Sequence, residues 1–270
     1  MSDMGTDPEQ PVAGADTFQV TGQKYDDFMG RYSKPLASGF VDAAGVRPGM
    51  TALDLGCGPG ALTTVLVERL GAASVSACDP SRPFVTECAA RHPGTTVRVG
   101  RAEAIPFEDD AFDCLLAQLV LHFVGDTAAA AGEMLRVLRP GGTAGACVWG
   151  SMQLLDHFWT AAISVDPTAA ANAVRELKLS QEGDLGALFA AAGFTDVTET
   201  TVDVSSTYVG FDQLWSGFLA GIGPAGAYCL SLDPDTRTDL RSATFHEMGS
   251  PSGPITLDAV ARCGSGRTPR

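Results

Sequence analysis

The stretch that most constrains the fold of this chain is residues 51–61, Thr-Ala-Leu-Asp-Leu-Gly-Cys-Gly-Pro-Gly-Ala. A short apolar run is followed by glycines at three alternate positions, Gly56, Gly58 and Gly60. The next residues have the apolar spacing of an amphipathic helix, which Gly71 would end. A strand, a glycine turn and a helix start let a ligand lie against bare backbone, because glycine has no Cβ and the first helical amides have no partner within the helix.

Two acids accompany this turn. Asp54 lies just before the glycines, and Asp79 follows a second strand-like run at residues 74–78. An acid at the end of that strand can accept hydrogen bonds from both ribose hydroxyls of a nucleoside cofactor. Similar glycine turns bind NAD, flavins and ATP, so the turn alone does not decide which cofactor is used. A tight strand–helix turn with a capping acid and no ligand is the alternative.

Strands and helices alternate up to residue 150. We predict strands at residues 52–55, 74–78, 95–100, 112–117 and 143–149, and helices at residues 36–44, 62–70, 83–91 and 128–138. This alternation predicts an α/β fold with a doubly wound, mostly parallel sheet. In such a sheet the ligand lies at the carboxyl ends of the strands, where the connections diverge to the two sides.

The pattern changes beyond residue 150. We predict helices at residues 154–164, 184–192, 211–220 and 234–245, with sixth and seventh strands at residues 197–205 and 255–262. A hairpin between these two strands needs only a few residues, so the long insertion predicts a helical cap over the site. The turn at residues 221–226, Gly-Ile-Gly-Pro-Ala-Gly, is expected to be its flexible point.

The chain therefore divides into four parts: a disordered tail at residues 1–20, a cofactor-binding core with an N-terminal flap at 21–150, cap helices with the last two strands at 151–262, and a disordered tail at 263–270. The flap, residues 25–35, interleaves aromatic residues with glycine, arginine and serine. A helix packed on the edge of the sheet is the alternative reading of this segment.

Charge and composition narrow the possible partners. A net charge of −14 argues against a nucleic-acid substrate, which needs a basic surface. Seven scattered cysteines without a Cys-x-x-Cys pair predict core thiols rather than disulfides or a metal site. The polar N-terminus and the short apolar runs predict a cytoplasmic protein without a membrane segment.

Four motifs together resemble those of one enzyme family. They are LDLGCGPG at residues 53–60, ACDPS at 77–81, GRAEAIPFEDDAFD at 100–113 and LRVLRPGG at 135–142. In order and spacing they resemble class I S-adenosylmethionine-dependent methyltransferases, specifically the UbiE-like branch that acts on small molecules, over roughly residues 24–150. The resemblance implies a Rossmann-like methyltransferase fold and methyl transfer from S-adenosylmethionine, leaving S-adenosylhomocysteine, to the O, N or C atom of a small, apolar or aromatic acceptor.

The resemblance also implies a set of cofactor-binding residues: Asp54, Gly56, Cys57, Gly58, Gly60, Asp79, Pro80, Arg101, Ala102, Glu103, Gln118 and Leu119. The flap residues Tyr25 and Arg31 are expected at the methionine end of the cofactor. Arg101 stands where the family has an aspartate that accepts from the adenine amino group. Arginine has no acceptor, so it either stacks on the purine or leaves adenine to the neighbouring backbone.

The acceptor side is less defined by the sequence. His122 follows the fourth strand and is either a general base or a histidine bonded to the next helix. Aromatic residues that could line an acceptor pocket are Trp149, Trp159, Tyr208, Phe211 and Trp215. Aromatic residues at this spacing are also common in a plain core.

Two alternatives to a methyltransferase stay open at this point. A protein that binds S-adenosylmethionine but has lost catalysis would explain Arg101 and the lack of an assured base. An NAD(P)-dependent reductase shares the glycine turn and the ribose acid, although the turn has Gly-x-Gly-x-Gly spacing and no Tyr-x-x-x-Lys pair is present. The sequence leaves monomer and homodimer equally open.

Overall fold

The computed structural model of the chain describes residues 22–168, 170 and 177–270 and contains a seven-stranded sheet. The strands are β1 (Ala52–Leu55), β2 (Val75–Asp79), β3 (Thr96–Val99), β4 (Phe112–Gln118), β5 (Leu138–Met152), β6 (Thr195–Tyr208) and β7 (Ile255–Arg267). Their order in the sheet is β3-β2-β1-β4-β5-β7-β6. Strands β1 to β5 are parallel to one another, whereas β7 is antiparallel to both β5 and β6. Strand β6 therefore runs in the direction of β5, and this is the predicted doubly wound, mostly parallel sheet.

Helices cover both faces of the sheet. They are α1 (Gly22–Phe28), α2 (Gly30–Ala43), α3 (Ala61–Leu70), α4 (Arg82–Arg91), α5 (Thr127–Val137), α6 (Gln153–Val165), α7 (Asp184–Ala192), α8 (Phe211–Phe218), α9 (Gly223–Ser231) and α10 (Pro234–Glu247). Short 3-10 turns lie at Ala72–Ser74 and Leu121–Phe123. Among the helices described, none combines the length and the apolar character needed to cross a bilayer.

Among the described residues, two large apolar cores hold these layers together, and a small third cluster contains Cys57, Ala77 and Cys88. One contains side chains of α2, α3, α6 and the cap helices α8 to α10, and the other contains side chains of α5 and α7. Because helices cover both faces, β4 is buried along nearly its whole length and its sequence is almost continuously apolar. All seven cysteines are buried and free.

Three expectations about the loops and ends are wrong. Residues 263–270 are not a disordered tail, because β7 continues to Arg267 and Thr268 is buried. Gly264 and Gly266 make this possible: added Cβ atoms there would lie 2.7 Å from Leu185 and 2.9 Å from Phe194. Residues 139–142 belong to β5 rather than to a loop after the helix, and the expected flexible turn at 221–226 contains the start of α9. The predicted tail at residues 1–20 lies outside the described residues.

Helices α1 and α2 cross the edge of the sheet at which β1, β2, β4, β5 and β6 have their carboxyl ends. Asp26 of α1 pairs with Arg91 of α4 at 2.9 Å. The Ser33 carbonyl accepts a hydrogen bond from Gln118 at the end of β4. We call α1 and α2 up to Lys34 the lid segment. It is helical and packed in this structure, as the alternative reading of residues 25–35 expected.

Candidate functional site

The candidate site lies where the strand connections diverge. Strand β1 has β2 on one side and β4 on the other, so Leu55, Asp79 and Gln118 end neighbouring strands at one edge. Open α/β sheets bind ligands in the crevice at such a point. The structure thus brings the glycine turn, the two acids and the end of β4 together, as the sequence predicts.

The three glycines of the turn are needed for two different structural reasons. Gly56 has φ 74° and an added Cβ would lie 2.3 Å from Val120, while Gly60 has φ 103° and its Cβ would lie 2.4 Å from His92. Gly58 has φ 52°, but nothing lies within 4 Å of the place of its Cβ. The outer two glycines are required by packing, and the middle one leaves open space in which a ligand can approach the backbone.

The amides of the glycine turn bond within the protein. Those of Gly56 and Cys57 donate to the Cys78 carbonyl, at 2.8 and 3.0 Å. The Gly58 amide donates to Asp79 at 2.9 Å and the Gly60 amide to the Cys57 carbonyl at 2.9 Å. Among the described residues, the backbone donors that stay available to a ligand here are the first amides of α3. The N-cap residue of this helix is Gly60, which has no side chain to accept from them. These amides suit an anionic group such as the cofactor carboxylate.

The Asp79 carboxylate is held at both oxygens. Oδ2 accepts from the Gly58 amide and Oδ1 from the Ser81 amide, at 2.9 and 2.8 Å. Burial raises the pKa of Asp79 to about 6, although these two hydrogen bonds oppose the shift. Each carboxylate oxygen has a second lone pair, so the oriented group can still accept from two ribose hydroxyls.

The site also contains a group of buried acceptors. Asp54 Oδ2 accepts from the Thr63 hydroxyl at 2.6 Å, whereas Oδ1 has no partner among the described residues. Gln118 Oε1 and Ser33 Oγ are likewise buried without a described partner. Asp54 pairs with Leu116 across β1 and β4, so Asp54 and Gln118 project from the same face of the sheet. Burial raises the pKa of Asp54 to about 7, which a cationic ligand group would reverse.

The residues predicted to contact adenine lie in the connection between β3 and β4. Arg101 is partly exposed and its Nε lies 3.8 Å from a Glu103 carboxylate oxygen. Glu103 also accepts from the Gly125 amide at 3.1 Å, and Ala102 is buried. Arg101 is therefore directed at Glu103 here, and its predicted stacking on adenine stays a prediction. Pro80 continues directly from Asp79, as predicted.

The lid segment places Tyr25 near the ribose acid. Its ring packs edge-on against Phe84 at 5.7 Å. Burial, together with the nearby carboxylates of Asp79 and Asp26, raises the pKa of Tyr25, so the phenol is neutral. Arg31 has a different position from the one predicted: it donates to the Thr207 carbonyl at 3.2 Å and lies over the Tyr208 ring. These contacts direct it to β6, four strands away from β1, rather than to the glycine turn.

An aromatic wall, defined by Tyr32, Trp149 and Tyr208, stands beside the end of β4. Gln118 pairs with Cys147, so Trp149 lies two residues further along β5 on the same face as Gln118. The ring of Tyr32 packs edge-on against Trp149 at 6.2 Å, and its hydroxyl is 3.5 Å from that of Tyr208. All three are at most 4% exposed. Burial raises the pKa of both tyrosines, so the aromatic wall is uncharged at neutral pH.

The other predicted pocket aromatics lie within the cap. Trp215 stacks with Phe211 at 6.3 Å and contacts Phe218, and Trp159 packs against Tyr228 at 5.5 Å. Phe211 and Trp215 belong to the larger apolar core. The structure brings Trp149 and Tyr208 to the strand ends. Trp159, Phe211 and Trp215 instead pack against other aromatic side chains inside the cap.

His122 is buried, and this environment does not suit a general base that acts at neutral pH. Its side chain is 6% exposed and packs against the Phe123 ring at 5.1 Å. Burial lowers the pKa of His122 to about 4, and the Lys178 backbone only partly opposes this. Asp126, rather than His122, caps the next helix through the Ala129 amide. The imidazole is therefore neutral at pH values where the sequence suggested a titrating group.

The backbone after β4 is strained at Leu119. This leucine has φ 60°, a left-handed conformation that costs a non-glycine residue about 1 kcal/mol or more. Its amide donates to the Cys147 carbonyl at 2.9 Å, which fixes the turn against β5. Strain of this kind is common at ligand sites, and it lies at a position that the sequence assigned to the cofactor.

Sequence reasoning missed several residues of the site. Ser33 and Tyr32 come from the lid segment and reach the site only through the tertiary fold. Thr63 had a detectable signal, since a hydroxyl in the first turn after a Gly-x-Gly-x-Gly sequence faces back toward the strand that precedes it. His92 packs under Gly60, and no feature of the sequence indicates this contact.

Comparisons with known proteins identify the kind of domain that carries this site. Residues 53–146 match the methyltransferase domain family. A demethylmenaquinone methyltransferase of Beutenbergia cavernae is 38% identical over 102 residues, which are 38% of this chain and 42% of that protein. An uncharacterized methyltransferase of Mycobacterium tuberculosis is 44% identical over 99 residues, 37% of this chain and 39% of that protein. The chain thus spans well under half the length of these curated relatives.

Solved structures show the same fold. The YcgJ protein of Bacillus subtilis has a TM-score of 0.56 at 16% identity, with 87% of this chain and 98% of that chain covered. A phosphoethanolamine N-methyltransferase of Haemonchus contortus, solved with S-adenosylhomocysteine, has a TM-score of 0.54 at 16% identity, with 87% and 53% covered.

The sheet and its flanking helices form the Rossmann-like fold of the class I methyltransferases. The match over residues 53–146 supports a class I S-adenosylmethionine-dependent methyltransferase domain, with S-adenosylmethionine as its cofactor. This result favours methyl transfer over the reductase alternative.

Proposed function

We propose that this protein transfers the methyl group of S-adenosylmethionine to a small, apolar or aromatic molecule, at an O, N or C atom. The observation that carries the proposal is the aromatic wall at the carboxyl ends of β5 and β6, beside Gln118. Its rings are buried and neutral, so it favours a planar apolar or aromatic acceptor that can pack against them. The net charge of −14 argues further against a nucleic-acid acceptor.

The residues that would hold the cofactor match its chemical groups. Asp79 would accept from the ribose hydroxyls, and the first amides of α3 would face the carboxylate. Asp54, Gln118 and Ser33 contribute acceptors that suit the ammonium group. The bound cofactor supplies a methyl group on a positively charged sulfur, which needs no covalent catalyst.

The remaining task of the protein is alignment and the exclusion of water. The lid segment covers the strand ends, and Phe28 packs against Phe218 of the cap at 5.4 Å. Gly217 permits this approach, since a Cβ there would lie 2.3 Å from the Phe28 ring. Holding the acceptor in line in a dry pocket can supply much of the rate enhancement by itself. A neutral His122 can accept a proton from the acceptor, but we do not expect the reaction to depend on it.

The test separates binding from transfer. Calorimetry should show S-adenosylhomocysteine binding and no binding of NAD(P) at comparable concentrations. The protein is then incubated with S-adenosylmethionine and sets of quinols, phenols, indoles and aromatic amines, and with amino acids as a charged control set. We expect release of S-adenosylhomocysteine and one added methyl group by mass spectrometry with an aromatic set. Transfer only to the charged set would contradict the proposed acceptor, and binding without transfer would favour the non-catalytic alternative.

A further inference from the structure

The lid segment covers the residues that are assigned to the cofactor. Asp54, Asp79 and Gln118 are at most 9% exposed, and the Ser33 carbonyl of the lid segment bonds directly to Gln118. With the lid segment in this position, a nucleoside cofactor has no access from solvent to these side chains. Part of the lid segment must therefore move each time that the cofactor enters or leaves.

The second half of the lid segment is anchored in the larger apolar core. Phe28 and Tyr32 are at most 2% exposed, and their rings pack against Phe218 and Trp149 at 5.4 and 6.2 Å. Lifting these rings would return a large apolar area to water, which makes their movement costly. The part that can move at low cost is thus the first part of α1, residues 22–27.

This first part of α1 is attached to α4. Tyr25 packs edge-on against Phe84 at 5.7 Å, and Asp26 pairs with Arg91 at 2.9 Å. The other end of α1 contacts α8 through Phe28. Helix α1 therefore bridges the strand ends between α4 and α8, and loss of its contacts with α4 would free one end of the bridge.

Asp26 is the centre of a small cluster of charges. Its Oδ2 accepts from Lys34 as well as from Arg91, both at 2.9 Å, and Arg91 also pairs with Glu87. The side chain of Asp26 is 9% exposed, against 31% for Arg91 and 54% for Lys34. An enclosed carboxylate shared by two cations is held more firmly than an exposed pair. Both cations also reach water, so the cluster can open without leaving a charge buried.

We propose that Asp26 is a positioning residue that latches α1 over the cofactor site. Opening of its pair with Arg91 lets S-adenosylmethionine enter and S-adenosylhomocysteine leave. Asp26 bonds within the protein and not to the cofactor, so the latch holds α1 equally before and after binding. It therefore slows entry and exit by the same factor and leaves the affinity nearly unchanged. The inference rests on the proposed function only in that the cofactor occupies the strand ends.

The first test measures the rate constants of binding. Surface plasmon resonance on the immobilised protein gives the association and dissociation rate constants of S-adenosylhomocysteine. Asp26→Asn keeps the shape and removes the charge, so both should rise at least about fivefold while Kd changes less than about threefold. A residue with only a structural role would change Kd or the melting temperature instead. Unchanged rate constants, or a rise in dissociation alone, would overturn the proposal.

The dependence on salt identifies the latch as an ion pair. Salt between about 0.05 M and about 0.5 M screens charges that reach water. The rate constants of the wild type should rise over this range and approach those of Asp26→Asn, because the screened pair holds α1 less firmly. Effects of salt on the charges of the ligand cancel in the ratio of the two proteins. A ratio that does not change with salt would contradict the latch.

Two further variants test the pair itself. Arg91→Gln breaks it from α4 and should reproduce the faster exchange, and the double variant with Asp26→Asn should be no faster than either single one. Asp42→Asn breaks a comparable pair with Arg69, 2.7 Å long, at the far end of α2, and should exchange the ligand like the wild type. Increases that add in the double variant, or faster exchange in Asp42→Asn, would overturn the proposal.

Hydrogen exchange reads the latch without any ligand. In Asp26→Asn the amides of α1 should exchange faster than in the wild type, whereas those of α3 should be unchanged. Equal exchange of α1 in the two proteins would overturn the latch, even where the cofactor binds. Failure of the wild type to bind S-adenosylhomocysteine would instead reject the proposed cofactor site, and the exchange of α1 would still decide whether Asp26 holds it.

Discussion

The Gly58 amide donates a 2.9 Å hydrogen bond to the Asp79 carboxylate, so the acid at the end of β2 holds the middle of the glycine turn. The other carboxylate oxygen accepts from the Ser81 amide at 2.8 Å. The Asp79 side chain thus fixes the loop after β1 and the loop after β2. Each of its carboxylate oxygens keeps a second lone pair that a ligand can use. Asp79 therefore supports the glycine turn, in addition to its proposed role as the ribose acceptor.

The first prediction follows from this double role. Asp79→Ala removes the ribose acceptor and releases Gly58, so the affinity for S-adenosylhomocysteine should fall at least about 30-fold, or roughly 2 kcal/mol. Calorimetry on the two proteins measures this loss. Ser81→Ala keeps the backbone amide that Asp79 uses and serves as a nearby control. A change of less than about threefold would mean that the ribose lies elsewhere.

The second prediction concerns the pH dependence of that affinity. Burial raises the pKa of Asp79 to about 6 in the ligand-free protein. Protonated Asp79 is a poorer acceptor, so binding should strengthen as pH rises through about 6, and ionisation of Asp54 extends the rise through about 7. Asp79→Asn cannot ionise, and its affinity should lose the lower part of this rise and keep the part that belongs to Asp54. A wild-type profile that is flat between about pH 5 and about pH 7 would show that the carboxylate is not used.

Much of the core site could be predicted from the sequence because its determinants are local. Gly56, Gly58 and Gly60 constrain the turn by themselves, and Asp79 follows directly from the strand pattern. The partners that orient them come from distant parts of the chain. Ser33 and Gln118 are 85 residues apart, and no periodicity in either segment connects them.

The errors also have physical causes. Residues 263–267 look like a polar tail because glycine and serine alternate there, yet this composition is what lets β7 lie under Leu185 and Phe194. Arg31 was expected at the cofactor because its charge fits a carboxylate. The register of the lid segment instead places it over Tyr208. The sequence specifies side-chain chemistry more directly than the direction in which a side chain points.

The third prediction concerns stability. Burial raises the pKa of Asp54 from 3.8 to about 7, so the folded protein binds its proton more tightly than the unfolded chain. This stabilising contribution is complete below about pH 4 and is lost as pH rises through about 7. Asp54→Asn cannot ionise and can still accept from Thr63. The ligand-free variant should therefore match the wild type near pH 4 and be more stable near pH 8, by about 4 kcal/mol.

Chemical denaturation at the two pH values tests this difference, and S-adenosylhomocysteine should reverse its sign if Asp54 pairs with the ammonium group. Glu68→Gln, which changes an exposed acid on α3, is the matched control. Equal stabilities of Asp54→Asn and wild type near pH 8 would contradict the buried, ionising acid.

The fourth prediction concerns His122. Burial lowers the pKa of His122 to about 4, so the ring stays neutral over the working pH range. At saturating S-adenosylmethionine, kcat should show no decline near pH 6.5, where an ordinary histidine titrates. His122→Ala should lower kcat by less than about tenfold, because alignment rather than proton transfer carries the reaction. A pH-dependent loss above about a hundredfold would establish His122 as the general base instead.

The last prediction uses two residues of the lid segment as a matched pair. Tyr25 lies against Phe84 near Asp79, whereas Arg31 bonds to the Thr207 carbonyl beside β6. Tyr25→Ala opens the space above the ribose acid and should weaken S-adenosylhomocysteine binding by about tenfold, while Arg31→Ala should change it by less than about threefold.

Hydrogen exchange adds an independent measurement of the same segment. Because the lid segment is packed through Asp26, Phe28 and Ser33 in this structure, its amides should be protected without ligand and gain little when the cofactor binds. Deleting residues up to 33 should then chiefly lower the melting temperature. Strong protection that appears only with S-adenosylmethionine, together with a large affinity loss in Arg31→Ala, would instead show a flap that closes over the methionine end and carries Arg31 to the cofactor carboxylate.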